Sequence, residues 1–131
     1  MFNPSNFLGS LHLMVADVAK TIEYYEKVLG FETIMSVPCD EKLVFAIVQS
    51  NNIMLMFQDE QSLKAEYPQL AECDYKAGLT LYIHVDNILS LYEQLKNQAR
   101  IVKELHTTFY GSQDFVIEDC NNYILTFSQD K

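Results

Sequence analysis

The chain has 131 residues, 49% of them hydrophobic, and carries nine Lys or Arg against eighteen Asp or Glu for a formal net charge of −9. That length holds one domain around one core, the composition lies outside disordered and low-complexity ranges, and the acidic field repels phosphate backbones and anionic lipid, so neither nucleic acid nor a membrane is an expected partner. Cys39, Cys73 and Cys120 form no C-x-x-C pair and follow no basic, apolar leader, which makes a reducing cytoplasm the expected compartment, and runs such as 43–48 fall far short of the roughly 20 residues that span a bilayer.

In chain order, the first expected strand alternates Leu11, Leu13 and Val15 on one face with Ser10, His12 and Met14 on the other. Asp17 is placed to cap a helix whose apolar positions are Val18, Ile22, Tyr25 and Leu29, with Gly30 as its stop. Three strands follow at 31–37, 43–50 and 53–58. Residues 59–77 are polar and read as a crossing linker with a short helix from about Gln61, broken by Pro68. The pattern then recurs. Leu79, Leu81, Ile83 and Val85 alternate with Thr80, Tyr82 and His84; Asn87 caps a helix carrying Ile88, Leu91, Tyr92 and Leu95; strands are expected at 101–107, 113–118 and 123–128.

The recurrence is visible residue by residue at an offset of 70. Leu11 matches Leu81, Val15 Val85, Glu23 Glu93, Phe45 Phe115, Ile47 Ile117, Asn51 Asn121, Asn52 Asn122, Leu55 Leu125 and Phe57 Phe127, without a gap. Chance supplies about three such identities in fifty positions at ordinary residue frequencies. One domain over 1–131, built from a β-α-β-β-β module at 8–58 and a second at 78–129, is the expectation. The Asn pairs sit at the turns into each last strand, where Asn tolerates a left-handed backbone.

The stretch "LHLMVADVAKTIEYYEKVLGFET" resembles the opening strand, Asp cap and "FY...LGF" helix end of the vicinal oxygen chelate superfamily, which groups glyoxalase I, extradiol dioxygenases and fosfomycin and bleomycin resistance proteins. "FYGSQDFVIEDCNNYILTFSQ" is similar to that family's "G...F...DP(D/N)GY...F" ending, with Cys120 in place of Pro and Asn122 in place of Gly. The resemblance covers nearly the whole chain. It implies an α+β fold of duplicated βαβββ modules whose curled, mixed sheet encloses a concave cavity. In metal-dependent members four positions supply His, Glu or Gln to one ion; the family pattern falls here on Ser10, Thr80, Met56 and Thr126. Hydroxyls and a thioether lack the charge or imidazole lone pair that hard or borderline divalent ions take, so no metal and no other cofactor is expected. His12 and His84 would need a carboxylate on a last strand to form an alternative site, and the direction of Glu118 on the neighbouring strand is open. Cys39 and Cys120 lie beside acidic residues, which raise a thiol's pKa.

The family's cavity is lined by the sheet face that the helices leave uncovered. The parity of first and last strands assigns to it Ser10, His12, Met14, Met54, Met56, Gln58, Thr80, Tyr82, His84 and Thr126, with Ile124 and Ser128. Met, Tyr, His and Thr suit an adaptable pocket with a few polar anchors. The expected function is metal-free binding of an unknown small molecule, cationic or aromatic, with stacking surfaces drawn from Tyr82, Phe109 or Tyr110. The alternatives are a metal-dependent lyase, isomerase or dioxygenase with displaced ligands, and an interaction module with a filled cavity. The resemblance also implies a homodimer, and Phe2, Phe7 and Leu8 in the leading arm would gain cover from one.

Overall fold

The computed structural model describes residues 9–72 and 79–130. Two compact units divide the chain near Glu72, and each contains one mixed four-stranded sheet that does not close into a barrel. The leading arm to Leu8, and Cys73, fall outside the described residues.

In the first unit β1 (Leu11–Val15) leads into α1 (Val18–Lys27), followed by β2 (Glu32–Cys39), β3 (Lys42–Ser50), β4 (Ile53–Asp59) and α2 (Glu60–Glu66). The sheet order is β1-β4-β3-β2, with β1 parallel to β4 and the remaining pairs antiparallel. Asp17 caps α1 as expected: its Oδ1 accepts the Lys20 N–H at 3.0 Å. Gly30, at φ 76°, ends the helix, and the Phe31 N–H turns back to the Tyr25 carbonyl at 2.9 Å. The face under α1 is the core. Leu13, Val15, Ala46, Val48, Leu55 and Phe57 are buried there, and the Tyr25 ring lies 4.9 Å from Phe57 and 5.4 Å from Phe31.

The second unit repeats the plan with β5 (Thr80–His84), α3 (Ile88–Leu95), β6 (Arg100–Thr107), β7 (Gln113–Glu118) and β8 (Ile124–Gln129), in the order β5-β8-β7-β6. Asn87 caps α3 through the Ser90 N–H. Leu81, Ile83, Phe115, Ile117, Leu125 and Phe127 form the covered face, and Tyr92 of α3 packs its ring 5.1 Å from Phe115.

Three sequence expectations shift. Strand β2 runs on through Pro38 to Cys39 instead of stopping at 37, because among the described residues β2 pairs only with β3, and an edge strand with a register shift at Val37/Pro38 needs no donor from proline. Cys39 thus ends a strand and does not sit in a loop. The last strand begins at Ile124 because Tyr123 belongs to the turn, where the buried Asp119 carboxylate accepts the Asn121 and Tyr123 N–H groups at 2.8 and 2.9 Å.

The third shift concerns the repeat. First and last strands keep the offset of 70, since Leu11 pairs Leu55 as Leu81 pairs Leu125. The third strands do not. Met54 faces Gln49, whereas its counterpart Ile124 faces Glu118. Four residues (50–53) therefore separate the paired positions in the first hairpin and five (119–123) in the second. One extra turn residue inverts which side chains face which way, so the counterpart of buried Phe115 is Ala46. Phe45 and Ile47 point away from the helix, with the His12 ring edge-on to Phe45 at 5.9 Å.

Candidate functional site

The two uncovered sheet faces differ in chemistry. In the first unit the cross-strand rows are Met14, Gln58, Phe45, Val37 and His12, Met56, Ile47, Met35. This face is apolar and sulfur-rich, and its β1–β4 end is covered by the segment after β4. There α2 (Glu60–Glu66) starts at Asp59, whose carboxylate accepts the Gln61 and Ser62 N–H groups, and a 3₁₀ turn follows at Pro68–Leu70. The described part of the connecting segment, residues 59–72, is thus a packed part of the first unit. It leaves Met14 and Gln58 nearly inaccessible.

Gln58 is fully engaged under this cover. Its Nε2 donates to Ser62 Oγ at 2.8 Å and to Glu66 Oε1 at 3.0 Å. A carboxylate only accepts, so the amide oxygen must face His12, and His12 Nε2 donates to it at 2.8 Å. His12 is a positioned structural hydrogen-bond donor here, with Tyr67 edge-on to its ring. Leu63, Tyr67, Gln69 and Leu70 leave a hollow of about 320 Å³ beside it. Met54 and Met56 are half-buried, and Ser10 lies exposed ahead of β1.

The uncovered face of the second unit is polar. Its rows are His84, Ser128, Asp114, His106; then Tyr82, Thr126, Val116, Lys103; then Thr80, Ile124, Glu118, Arg100. Tyr82, Asp114, Val116, Thr126, Lys103 and His106 line a pocket of about 510 Å³, bounded on one side by Thr107 at the end of β6 and by Thr108, Phe109 and Tyr110 from the β6–β7 loop. Asp114 is 5% exposed. Its Oδ1 accepts the Ser128 hydroxyl at 2.6 Å and the Ser112 hydroxyl at 3.0 Å. Tyr82 donates to Ser128 Oγ at 2.9 Å. Among the described residues Asp114 has no cationic partner and its Oδ2 no hydrogen bond. A hydrogen bond with Tyr82 pushes the Tyr110 phenol above its ordinary value, and the Asp114 charge adds to the effect. Phe109 is 99% exposed. Its ring stands edge-on to Tyr110 at 4.9 Å.

Sequence parity reached Tyr82 and Thr126 in this pocket; Thr80 and His84 lie exposed on the same face, with the His84 ring edge-on to Tyr82 at 5.2 Å. Asp114 lies on a third strand, outside the parity of first and last strands, although the alternation Asp114, Phe115, Val116, Ile117, Glu118 carries the signal. Lys103 and His106 carried none. Their separation is odd, yet both oppose uncovered-face partners, because β6 shifts register at Ile101/Lys103 and again at Lys103/His106.

The family's ligand positions do not fit a divalent ion. Met56 sits between His12 and Ile47 in its row and Thr126 between Tyr82 and Val116, offering a thioether and a hydroxyl. Among the described residues no three His, Cys, Asp or Glu side chains are grouped to share an ion. His84 and His106 occupy opposite ends of a row, three strand spacings or about 14 Å apart. Glu118 does share the uncovered face, but Asn122 Nδ2 donates to it and Arg100 Nε lies 3.7 Å away.

No curated protein matches the chain. Among solved structures, a glyoxalase/bleomycin resistance protein/dioxygenase family enzyme from Burkholderia phytofirmans is 19% identical with a TM-score of 0.75, over 93% of this chain and 97% of that one. TioX from Micromonospora sp. ML1 is 14% identical with a TM-score of 0.74, over 95% and 100%. A glyoxalase-related enzyme from Fulvimarina pelagi is 14% identical with a TM-score of 0.76, over 95% and 88%. The model of the Glyoxalase/Bleomycin resistance protein/Dioxygenase superfamily matches residues 7–127, and with the duplicated βαβββ fold already described, the chain belongs to that superfamily.

Proposed function

We propose that this protein is a metal-free small-molecule binder of the superfamily, holding a cationic or aromatic compound against the uncovered face of its second module. The observation that carries this reading is Asp114, a nearly inaccessible carboxylate with two hydroxyl donors on one oxygen, at the wall of a 510 Å³ pocket rimmed by Tyr82, Phe109 and Tyr110. Such a volume takes a drug-sized molecule. A carboxylate in a poorly hydrated wall attracts cations more strongly than one in water, and aromatic faces add to that attraction. The acidic net charge acts in the same direction at long range.

The site residues Tyr82 and Thr126, with Asp114, belong to the ligand contact, while His12 and Gln58 belong to the packing of α2. Sequestration of a toxic or antibiotic compound in the cytoplasm, by a homodimer, completes the proposal; exposed Met35 and Val37 on edge strand β2 support a second copy as cover. Among the described residues no helix is long and apolar enough to cross a membrane.

Thermal shift against a panel of cationic glycopeptides, aromatic amines and thiol conjugates tests the reading. The expected result is a concentration-dependent rise in Tm for at least one aromatic cation, lost in Asp114→Asn. A flat response across the panel overturns it, as does stoichiometric metal in protein purified without chelator. Size-exclusion chromatography with light scattering tests the homodimer.

A further inference from the structure

The pocket in the second module holds two opposite charges that do not meet. Lys103 and Asp114 both line it, yet among the described residues neither forms an ion pair. Asp114 lies at the level of His106 and Ser128. Lys103 lies opposite Val116, two residues further along β7, about 7 Å away at strand rise. The placement of Lys103 depends on a specific distortion. Ile101 opposes Ile117 of the helix-covered face, and in a regular strand Lys103 would share that face. The register shift between them turns Lys103 to the pocket, and a second shift before His106 keeps that histidine there too. Bulges of this kind re-aim side chains beside binding sites. Between the two charges the walls are Val116, Thr126 and the Tyr82 ring, which are apolar or neutral.

We infer that the ligand of this site is a zwitterion: a protonated amine on Asp114, a carboxylate or other anionic group on Lys103, and a flat apolar body between them against Tyr82 and Tyr110. The inference rests on the small-molecule reading above and deepens it by naming the ligand's charge pattern. Asp114 Oδ2 is left for the amine, since Oδ1 is already taken by Ser112 and Ser128. The Lys103 ammonium, on a flexible stem, reaches toward the anionic end. His106, level with Asp114, donates its Nδ1–H to the Glu104 carbonyl at 2.8 Å, so its Nε2 is a hydrogen-bond acceptor at the amine end of the pocket. A monocation leaves Lys103 facing the apolar body, and a monoanion meets the Asp114 charge; only the bipolar molecule answers both.

Isothermal titration with three matched probes tests this: 4-(aminomethyl)benzoate, benzylamine and benzoate. The expected result is binding of 4-(aminomethyl)benzoate at least tenfold tighter than benzylamine, with benzoate weakest. Lys103→Met should abolish the preference by weakening the zwitterion alone, Lys103→Arg should retain it, and Asp114→Asn should weaken both amines. Equal affinity for zwitterion and amine, with no effect of Lys103→Met, overturns the inference and leaves the cation-binding reading standing. No heat with any of the three also overturns it, while the broader panel decides the reading beneath it. Lys103 is exposed, so its variants keep the fold; circular dichroism of Asp114→Asn guards against a collapse that would mimic lost binding.

Discussion

Phe45 and Phe115 match when the two halves are laid over each other without a gap, but their environments are opposite, and truncating each to Ala separates the two descriptions. Phe115 is 0% exposed. Its ring stacks on Phe127 at 5.1 Å and 30°, and meets Tyr92 at 5.1 Å and 70°. Removing it leaves a cavity among side chains that cannot relax into it, which costs about 3–5 kcal/mol, the aromatic pairs placing it toward the upper end. Phe45 is half-buried on the uncovered face, with one edge contact to His12, and only part of its transfer free energy is at stake, about 1–2 kcal/mol. Urea unfolding followed by circular dichroism reads both. With a slope of about 2 kcal/mol/M, Phe115→Ala should move the midpoint by roughly 2 M and Phe45→Ala by less than about 1 M at unchanged slope. Equal shifts would refute the one-residue difference between the hairpins.

Gln58→Leu should cost about 1–3 kcal/mol by leaving His12, Ser62 and Glu66 without their shared partner; amide exchange should quicken in α2 while β7 and β8 stay protected, and uniform quickening would contradict a local role. Asp59→Ala should cost about 1 kcal/mol through loss of the α2 cap. Burial opposes ionisation of Asp59, but the Lys42 ammonium and the Ser62 and Gln61 N–H groups outweigh it, so its carboxyl lies below the ordinary 3.8. A depressed folded value means stability that is present above the ordinary value and lost as pH falls through the folded one. The gap between wild type and Asp59→Ala should therefore hold from pH 7 to 5 and narrow below about 4 in urea titrations; a gap that widens on acidification would be wrong in sign. Asn51, at φ 50°, should accept Gly with little change and lose about 1–2 kcal/mol as Val, measured by thermal unfolding; a neutral Val variant would contradict the left-handed turn.

Features set by neighbours in sequence were legible. Asp17 and Asn87 announce their helices because a cap acts within three residues, and Leu11, Leu13 and Val15 declare a strand face because period-two alternation is local. Features set by counting across a turn were not. The identities Phe45/Phe115 and Ile47/Ile117 favoured a gapless repeat, and nothing in "SNNI" beside "DCNNY" states that one turn holds an extra residue. Nor could periodicity foresee Lys103 and His106 on one face, since a bulge defeats the parity rule on which the reading relies. The cover over Gln58 was hidden for a different reason. Leu63 is the one buried residue of α2, and a polar stretch with a single apolar anchor reads as a linker until the anchor's socket is known.

The extra turn residue also decides which module can carry a polar site. In the first unit the third strand sends Phe45 and Ile47 to the uncovered face and Ala46 and Val48 to the core; in the second it sends Phe115 and Ile117 to the core and frees Asp114 and Val116 for the pocket. The change cannot be made by turn length alone. Lengthening the first turn by one residue would drive Phe45 toward the place of Ala46, against Phe57 and the Tyr25 ring that already lies 4.9 Å from it, and overpacking of that size costs about 1–3 kcal/mol or more. The small side chain of Ala46 and the short turn are therefore coupled, as are the large Phe115 and the long turn. The chemistry of each uncovered face follows from that coupling: a carboxylate can stand at Asp114 because the second hairpin has already taken its phenylalanine inward.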